Sequence, residues 1–156
     1  MQSLGVLAAL LLVCLGAGYV GSLATAESVK DWYPGLVKPP GTPPDSVFGP
    51  VWTTLFVLMA VAAWQVWSRS GFEEARLAFA LFGLQLLLNI AWSFLFFGLR
   101  QPGAALVEIL LLWVAILITF LAFKPHSLVA ALLLLPYLAW VGYAAYLNYG
   151  VWRLNS

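Results

Sequence analysis

Charge is what this chain has least of. Only 8% of its 156 residues are Asp, Glu, Lys or Arg, where a soluble domain carries about a quarter. With 63% of the residues hydrophobic, an ordinary water-facing surface is excluded. The net charge of +1 supplies no field to hold a polyanion, so no nucleic-acid partner is expected, and strong attraction to anionic lipid has no basis. Histidine occurs once, as His126, in a short loop without a carboxylate or cysteine placed to work with it. Neither a catalytic triad nor a histidine-rich metal site can be assembled from it, and no metal or cofactor is expected. Cysteine also occurs once, as Cys14, which excludes an internal disulfide. Between Leu12, Val13 and Leu15 it reads as a small buried hydrophobe.

What the chain has instead is long apolar runs with charge at their ends. At roughly 1.5 Å per residue, about 20 residues cross the hydrocarbon core of a bilayer. Spans are expected at about 3–26, 47–67, 77–99, 104–123 and 128–151. The fold class is therefore all-α, an integral membrane bundle of five transmembrane helices in a single domain, with a proline-rich lid loop at 27–46. Arg69, Ser70 and Gly71 close the second span, and Arg100-Gln101-Pro102-Gly103 makes a tight turn after the third. Pro136 interrupts the fifth span, where it is expected to kink the helix or mark the edge of a cavity. Five spans put the termini on opposite sides of the membrane. One side carries Arg69, Arg76 and Lys124 and the other Lys30, Lys38, Arg100 and Arg153, a difference too small to set orientation.

The first span has two features that invite other readings. Ala24-Thr25-Ala26 resembles a signal-peptide cleavage site, but no Lys or Arg precedes the run and it exceeds the usual length, so a retained helix is expected. Gly16-Ala17-Gly18-Tyr19-Val20-Gly21 formally matches the dinucleotide pattern G-x-G-x-x-G. That motif needs a preceding strand and a helix beginning at the glycines. Within an apolar span, small residues are better explained by close approach of a neighbouring helix.

Polar residues inside spans are the strongest pointers to a site. Gln85, Asn89, Trp92 and Phe96 recur at spacings of four, three and four, so they share one face of the third span. Tyr137, Trp140, Ala144 and Asn148 form a matching stripe on the fifth. Two readings stay open: interhelical hydrogen bonds, worth about 0.6–2 kcal/mol each, or the wall of a pocket for a flat apolar ligand. Trp32, Tyr33, Trp64, Trp67, Tyr149 and Trp152 lie near span ends, where interfacial anchoring is the default. Trp52, Trp92, Trp113 and Trp140 are placed to face protein or ligand. Glu108, the one acidic residue expected within a span, lies about one and a half turns beyond Gly103; a shallow capping or hydrogen-bonding role is expected of it.

Several blocks carry a resemblance beyond these patterns: WYPGLVKPPGTPP, FGPVWTTLF, LLLNIAWSFLFFG, RQPGAALVE and PYLAWVGYAAYLNYGVWRLN. In their order and spacing, over nearly the whole length, the chain resembles the translocator protein family (TspO/MBR), also called tryptophan-rich sensory proteins or peripheral-type benzodiazepine receptors. The resemblance implies a five-helix bundle, commonly a homodimer, with a pocket beneath the first loop for porphyrins, sterols or synthetic isoquinoline and benzodiazepine compounds. It implies pocket positions at Tyr33, Trp52, Asn89, Phe96, Trp140 and Ala144. Leu147, Tyr149 and Arg153 resemble the family's cholesterol-recognition segment, a weak pattern that an aromatic and basic belt at a helix end also explains.

Two functions follow from the resemblance. One is a receptor or transporter that binds a tetrapyrrole or other flat hydrophobic molecule in the membrane, with lipid or sterol as a further ligand class. The alternative is an enzyme of light- and oxygen-dependent porphyrin degradation, with Trp52 and Trp140 as the catalytic residues. The loop departs from the family pattern: Pro40, Gly41 and Thr42, then Asp45 and Ser46, stand where aromatics or histidine are common. The lid is expected to offer a porphyrin fewer aromatic contacts.

Overall fold

Lipid offers no partner to a free backbone N–H or C=O, so each apolar run must close its hydrogen bonds within itself. In the computed structural model, which describes residues 1–156, the result is an all-helical chain without strands. Helix α1 spans Gln2–Asp31, α2 Asp45–Glu74, α3 Arg76–Ser93 with a wider π turn over Phe94–Gly98, α4 Pro102–Phe123, α5 Leu128–Leu133 and α6 Leu135–Asn155. Five of these units are long and apolar enough to cross a membrane, α5 and α6 together forming the fifth. The chain is a multi-pass integral membrane bundle.

Local chemistry sets the breaks. Pro102 opens α4, where a missing N–H costs nothing. The Ser127 side chain accepts from the Ala130 N–H at 3.1 Å and caps α5. Pro136 falls in the first turn of α6, so the helix breaks at Leu134 and restarts. Gly71, at φ +69°, interrupts the regular course of α2 in a conformation that favours glycine. The first helix continues to Asp31, beyond the sequence-based boundary, because Ser28 is buried against the bundle and Lys30 suits the negative end of the helix dipole. The connection to α2 is therefore a short loop, from Trp32 to Pro44, opening with a 3₁₀ turn at Tyr33–Gly35.

Helix α4 packs against both α3 and α6 through Ala105, Ile109, Leu112 and Ile116, all at most 1% exposed. Small residues set the closest approaches. A Cβ on Gly18 would lie 2.8 Å from the Phe56 ring of α2, and one on Gly21 would lie 3.1 Å from Ser93 Oγ of α3. The glycine run of α1 is thus a packing surface for two neighbours. Lower on the same helix, Trp64 Nε1 donates to the Ser3 carbonyl and hydroxyl, both at 3.0 Å. This tryptophan ties α2 to α1. Trp113 Nε1 donates to the Leu138 carbonyl at 3.1 Å and so faces protein.

Gly18→Val places two methyl groups against Phe56. Overpacking of this kind costs about 1–3 kcal/mol. The variant is expected to unfold at lower temperature in detergent, followed by tryptophan fluorescence, while Gly5→Val, with open space around it, leaves the midpoint unchanged.

Candidate functional site

Helices α1, α2, α3 and α6 diverge beneath the first loop around a cavity of about 420 Å³. Tyr33, Trp52, Asn89, Phe96, Trp140 and Ala144 all line it. Trp52 reaches in from the second turn of α2; its ring packs on Phe56 at 5.9 Å and edge-on to Tyr137 at 6.4 Å. Opposite, Trp92 stacks on Phe96 at 5.2 Å, and Phe96 meets Phe97 at 4.8 Å. Trp140 is held between Phe48 and Tyr143, at 5.9 and 6.1 Å. Ala144 keeps the α6 wall shallow between these large rings. The arrangement is a box of aromatic faces and edges, suited to stacking a flat apolar molecule.

Polar groups enter at a few chosen points. The Tyr137 hydroxyl donates to Gln85 Oε1 at 2.6 Å and accepts from Asn89 Nδ2 at 2.8 Å. Trp92 Nε1 donates to Asn148 Oδ1 at 2.9 Å, and Asn148 Nδ2 donates to the Pro102 carbonyl at 2.8 Å. The two stripes therefore meet, α3 against α6. Gln85 serves structure alone, whereas Asn89 both holds Tyr137 and lines the cavity. Trp140 Nε1 is buried without a protein partner. Asp45 is the single charged side chain among the lining residues. Burial, and then the Asp45 charge, push the Tyr33 phenol up from its ordinary value of 10.0, so it stays a hydrogen-bond donor. Stacking and hydrogen bonding are within the chemistry of this site; an acid–base pair is not.

Several expectations need correction. Tyr33 is only 8% exposed and turns into the bundle, with Lys38 Nζ 4.5 Å from its ring centroid; it is no lipid-facing anchor. Glu108 faces the bundle and is not hydrogen-bonded. It shares the buried face of α4 with Ala105, Ile109 and Leu112, and neither of its oxygens has a protein partner. The three residues of the sterol-like segment separate: Leu147 lines the cavity, while Tyr149 and Arg153 are exposed, Tyr149 resting on Trp152 at 6.1 Å.

The wall supplied by α1 escaped sequence reasoning. Leu15, Tyr19, Ser22, Thr25 and Val29 all face the cavity, at the four- and three-residue spacing of one helix face. That spacing was legible, but serine and threonine in an apolar helix carry a weaker signal than amides.

The loop above is fastened down. Asn155 accepts from the Val37 N–H and donates to its carbonyl, both at 2.9 Å. Tyr146 donates to the Pro40 carbonyl at 2.9 Å and Tyr143 to that of Gly41. Pro39 lies on Gly150, where any side chain would collide with its ring. Arg100 pairs with both oxygens of Asp31 at 3.0 Å, joining the end of α1 to the α3–α4 turn. Its backbone sits at φ +55°, at a cost of roughly 1–2 kcal/mol for a non-glycine residue.

Comparison with known proteins agrees with this architecture. The model of the TspO/MBR family matches residues 9–153. The chain is 45% identical over 147 residues to tryptophan-rich protein TspO of Chlorobaculum tepidum, covering 92% of this chain and 91% of that one. It is 45% identical over 139 residues to the translocator protein of Homo sapiens, covering 88% and 82%. With the tryptophan-rich sensory protein of Cereibacter sphaeroides it shares 36% over 125 residues, covering 80% and 77%.

Tyr137→Phe leaves the Gln85 and Asn89 amides facing an apolar ring. An unsatisfied buried group costs about 1–3 kcal/mol, so the variant is expected to melt earlier in detergent. A Gln85→Leu, Tyr137→Phe double variant should recover part of the loss, because it removes one stranded amide.

Proposed function

The chain belongs to the TspO/MBR family of membrane proteins, and from that premise we propose that it is a receptor- or transporter-like protein whose cavity receives a porphyrin or another flat hydrophobic ligand. The observation that carries this reading is the cavity itself. Its volume of about 420 Å³ lies within the roughly 300–1,000 Å³ of small-molecule sites, and its walls are aromatic with few polar points. In this reading Trp52 and Trp140 stack on the ligand, Phe96 and Ala144 shape the slot for its plane, and Asn89 orients a polar edge. Tyr33 contacts it from the lid. The lid adds Asp45 where relatives commonly carry further rings, so stacking falls mainly to the helices. A sterol is the lesser candidate, because Tyr149 and Arg153 lie away from the cavity that Leu147 lines. The homodimer implied by the family resemblance belongs to the same proposal and is measurable as mass in detergent.

A second reading has one observation in its favour: Trp52 and Trp140 line the same cavity. Two indoles against one bound porphyrin would suit light- and oxygen-dependent degradation, carried by indole redox chemistry rather than by acid and base.

Porphyrin added to the purified protein is expected to quench tryptophan fluorescence saturably, with weaker affinity in Trp140→Phe. Loss of one stacking contact corresponds to about 0.5–1.5 kcal/mol, a two- to tenfold change. Unchanged affinity in that variant removes Trp140 from the site.

Illuminating the complex in air separates the two functions. A stable Soret band is expected for a binder. Bleaching that disappears in Trp52→Phe and Trp140→Phe would instead identify the enzyme.

A further inference from the structure

From the way the cavity is closed, we infer that its ligand enters sideways from the bilayer, through a slot between α1 and α2, while the loop above stays shut. The inference rests on the ligand-binding reading and adds the route and the physical state of the ligand: a membrane-dissolved flat molecule rather than one delivered from water.

Closure from above is the first half of the case. Opening the loop would break the paired hydrogen bonds of Val37 with Asn155 and those of Tyr146 and Tyr143 with the Pro40 and Gly41 carbonyls. It would also lift Pro39 off Gly150. All four attachments lead to α6, so the loop and the last helix form one fastened unit. On the α2–α6 side, the Trp140 ring stands between the cavity and a shallow surface hollow at Pro50 and Pro136.

The α1–α2 side differs. Leu15, Tyr19 and Ser22 of α1, and Asp45, Gly49 and Thr53 of α2, line the cavity and are nevertheless exposed at the surface of the bundle, Tyr19 by 66%, with Asp45 at the loop end of the row. A residue that is both lining and exposed marks an opening. The helices are in contact below this level, at Gly18 against Phe56 and at Ser3 against Trp64. They part only in the half next to the loop. Because both helices cross the membrane, this opening faces lipid.

The chemistry of the slot edges suits an apolar visitor. Ser22, Thr25 and Thr53 are polar by type, yet their hydroxyls donate to the Tyr19, Gly21 and Gly49 carbonyls of their own helices. These three hydroxyl protons are taken up within the helices, and the small side chains leave the passage wide. Tyr19 is the one aromatic residue at the mouth, exposed on the surface of α1.

The test is kinetic. Protein in phosphatidylcholine vesicles is mixed with porphyrin, and tryptophan quenching is followed by stopped flow. Ser22→Phe on one edge and Thr53→Phe on the other are expected to slow association by about tenfold. Loosening the loop with Asn155→Ala and Tyr146→Phe together is expected to leave both rates unchanged. Wild-type rates in both slot variants, or faster association in the loosened-loop variant, overturn the route. A changed Kd without slower association does the same, since it marks a contact and not a passage. Absence of saturable quenching in the wild type is a different failure and counts against ligand binding itself. Two slot variants on separate helices keep the test decisive if one of them does not fold.

Discussion

The Tyr137 hydroxyl is the contact on which the rest of the cavity depends. It is buried where lipid and water are equally absent, and it satisfies two amides of α3 from α6 with bonds of 2.6 and 2.8 Å. A polar group in that position has few alternatives, since leaving it unpaired is expensive in a low-dielectric interior. The bond therefore sets the rotation of α3 against α6. With that rotation set, Trp92 reaches Asn148 one turn higher, and Asn89, Phe96, Trp140 and Ala144 all turn to one space. The Tyr137 ring also receives the edge of Trp52, so α2 is brought into the same arrangement.

Above this node the structure changes character. Below, contacts are dense and made by small residues; above, four helices stand apart and aromatic rings line the gap. The loop closes the top because prolines limit its freedom before folding and because α6 offers it four points of attachment. A lid with those attachments behaves as a roof. On the proposed reading, exchange of ligand then falls to the side where α1 and α2 part next to the loop.

Much of this was legible in the order of residues. The scarcity of charge and the apolar runs established the class, and the spacing of Gln85, Asn89, Trp92 and Phe96 marked the inward face of α3 before any packing was known. Pro136 marked the break between α5 and α6. The misreadings share a cause. Tyr33 sits near a span end, where sequence cannot separate a ring that faces headgroups from one that turns inward. Glu108, close to the start of α4, suggests a capping or hydrogen-bonding role, but its helical phase places it on the buried face with Ala105, Ile109 and Leu112, where no protein group meets its oxygens. The glycines and hydroxyl residues of α1 spoke of packing and said nothing of the wall they also form.

The amino-acid sequence by itself determined that the chain lives in a membrane as five helices and that the amides of α3 must face inward, because hydrocarbon penalises every unsatisfied group and so makes periodicity binding. Which inward groups pair with each other, where the bundle parts and which side stays open were decided only by the tertiary structure. Those features depend on distances between helices, and a single helix has no record of its neighbour until a glycine, a ring or a hydroxyl meets it.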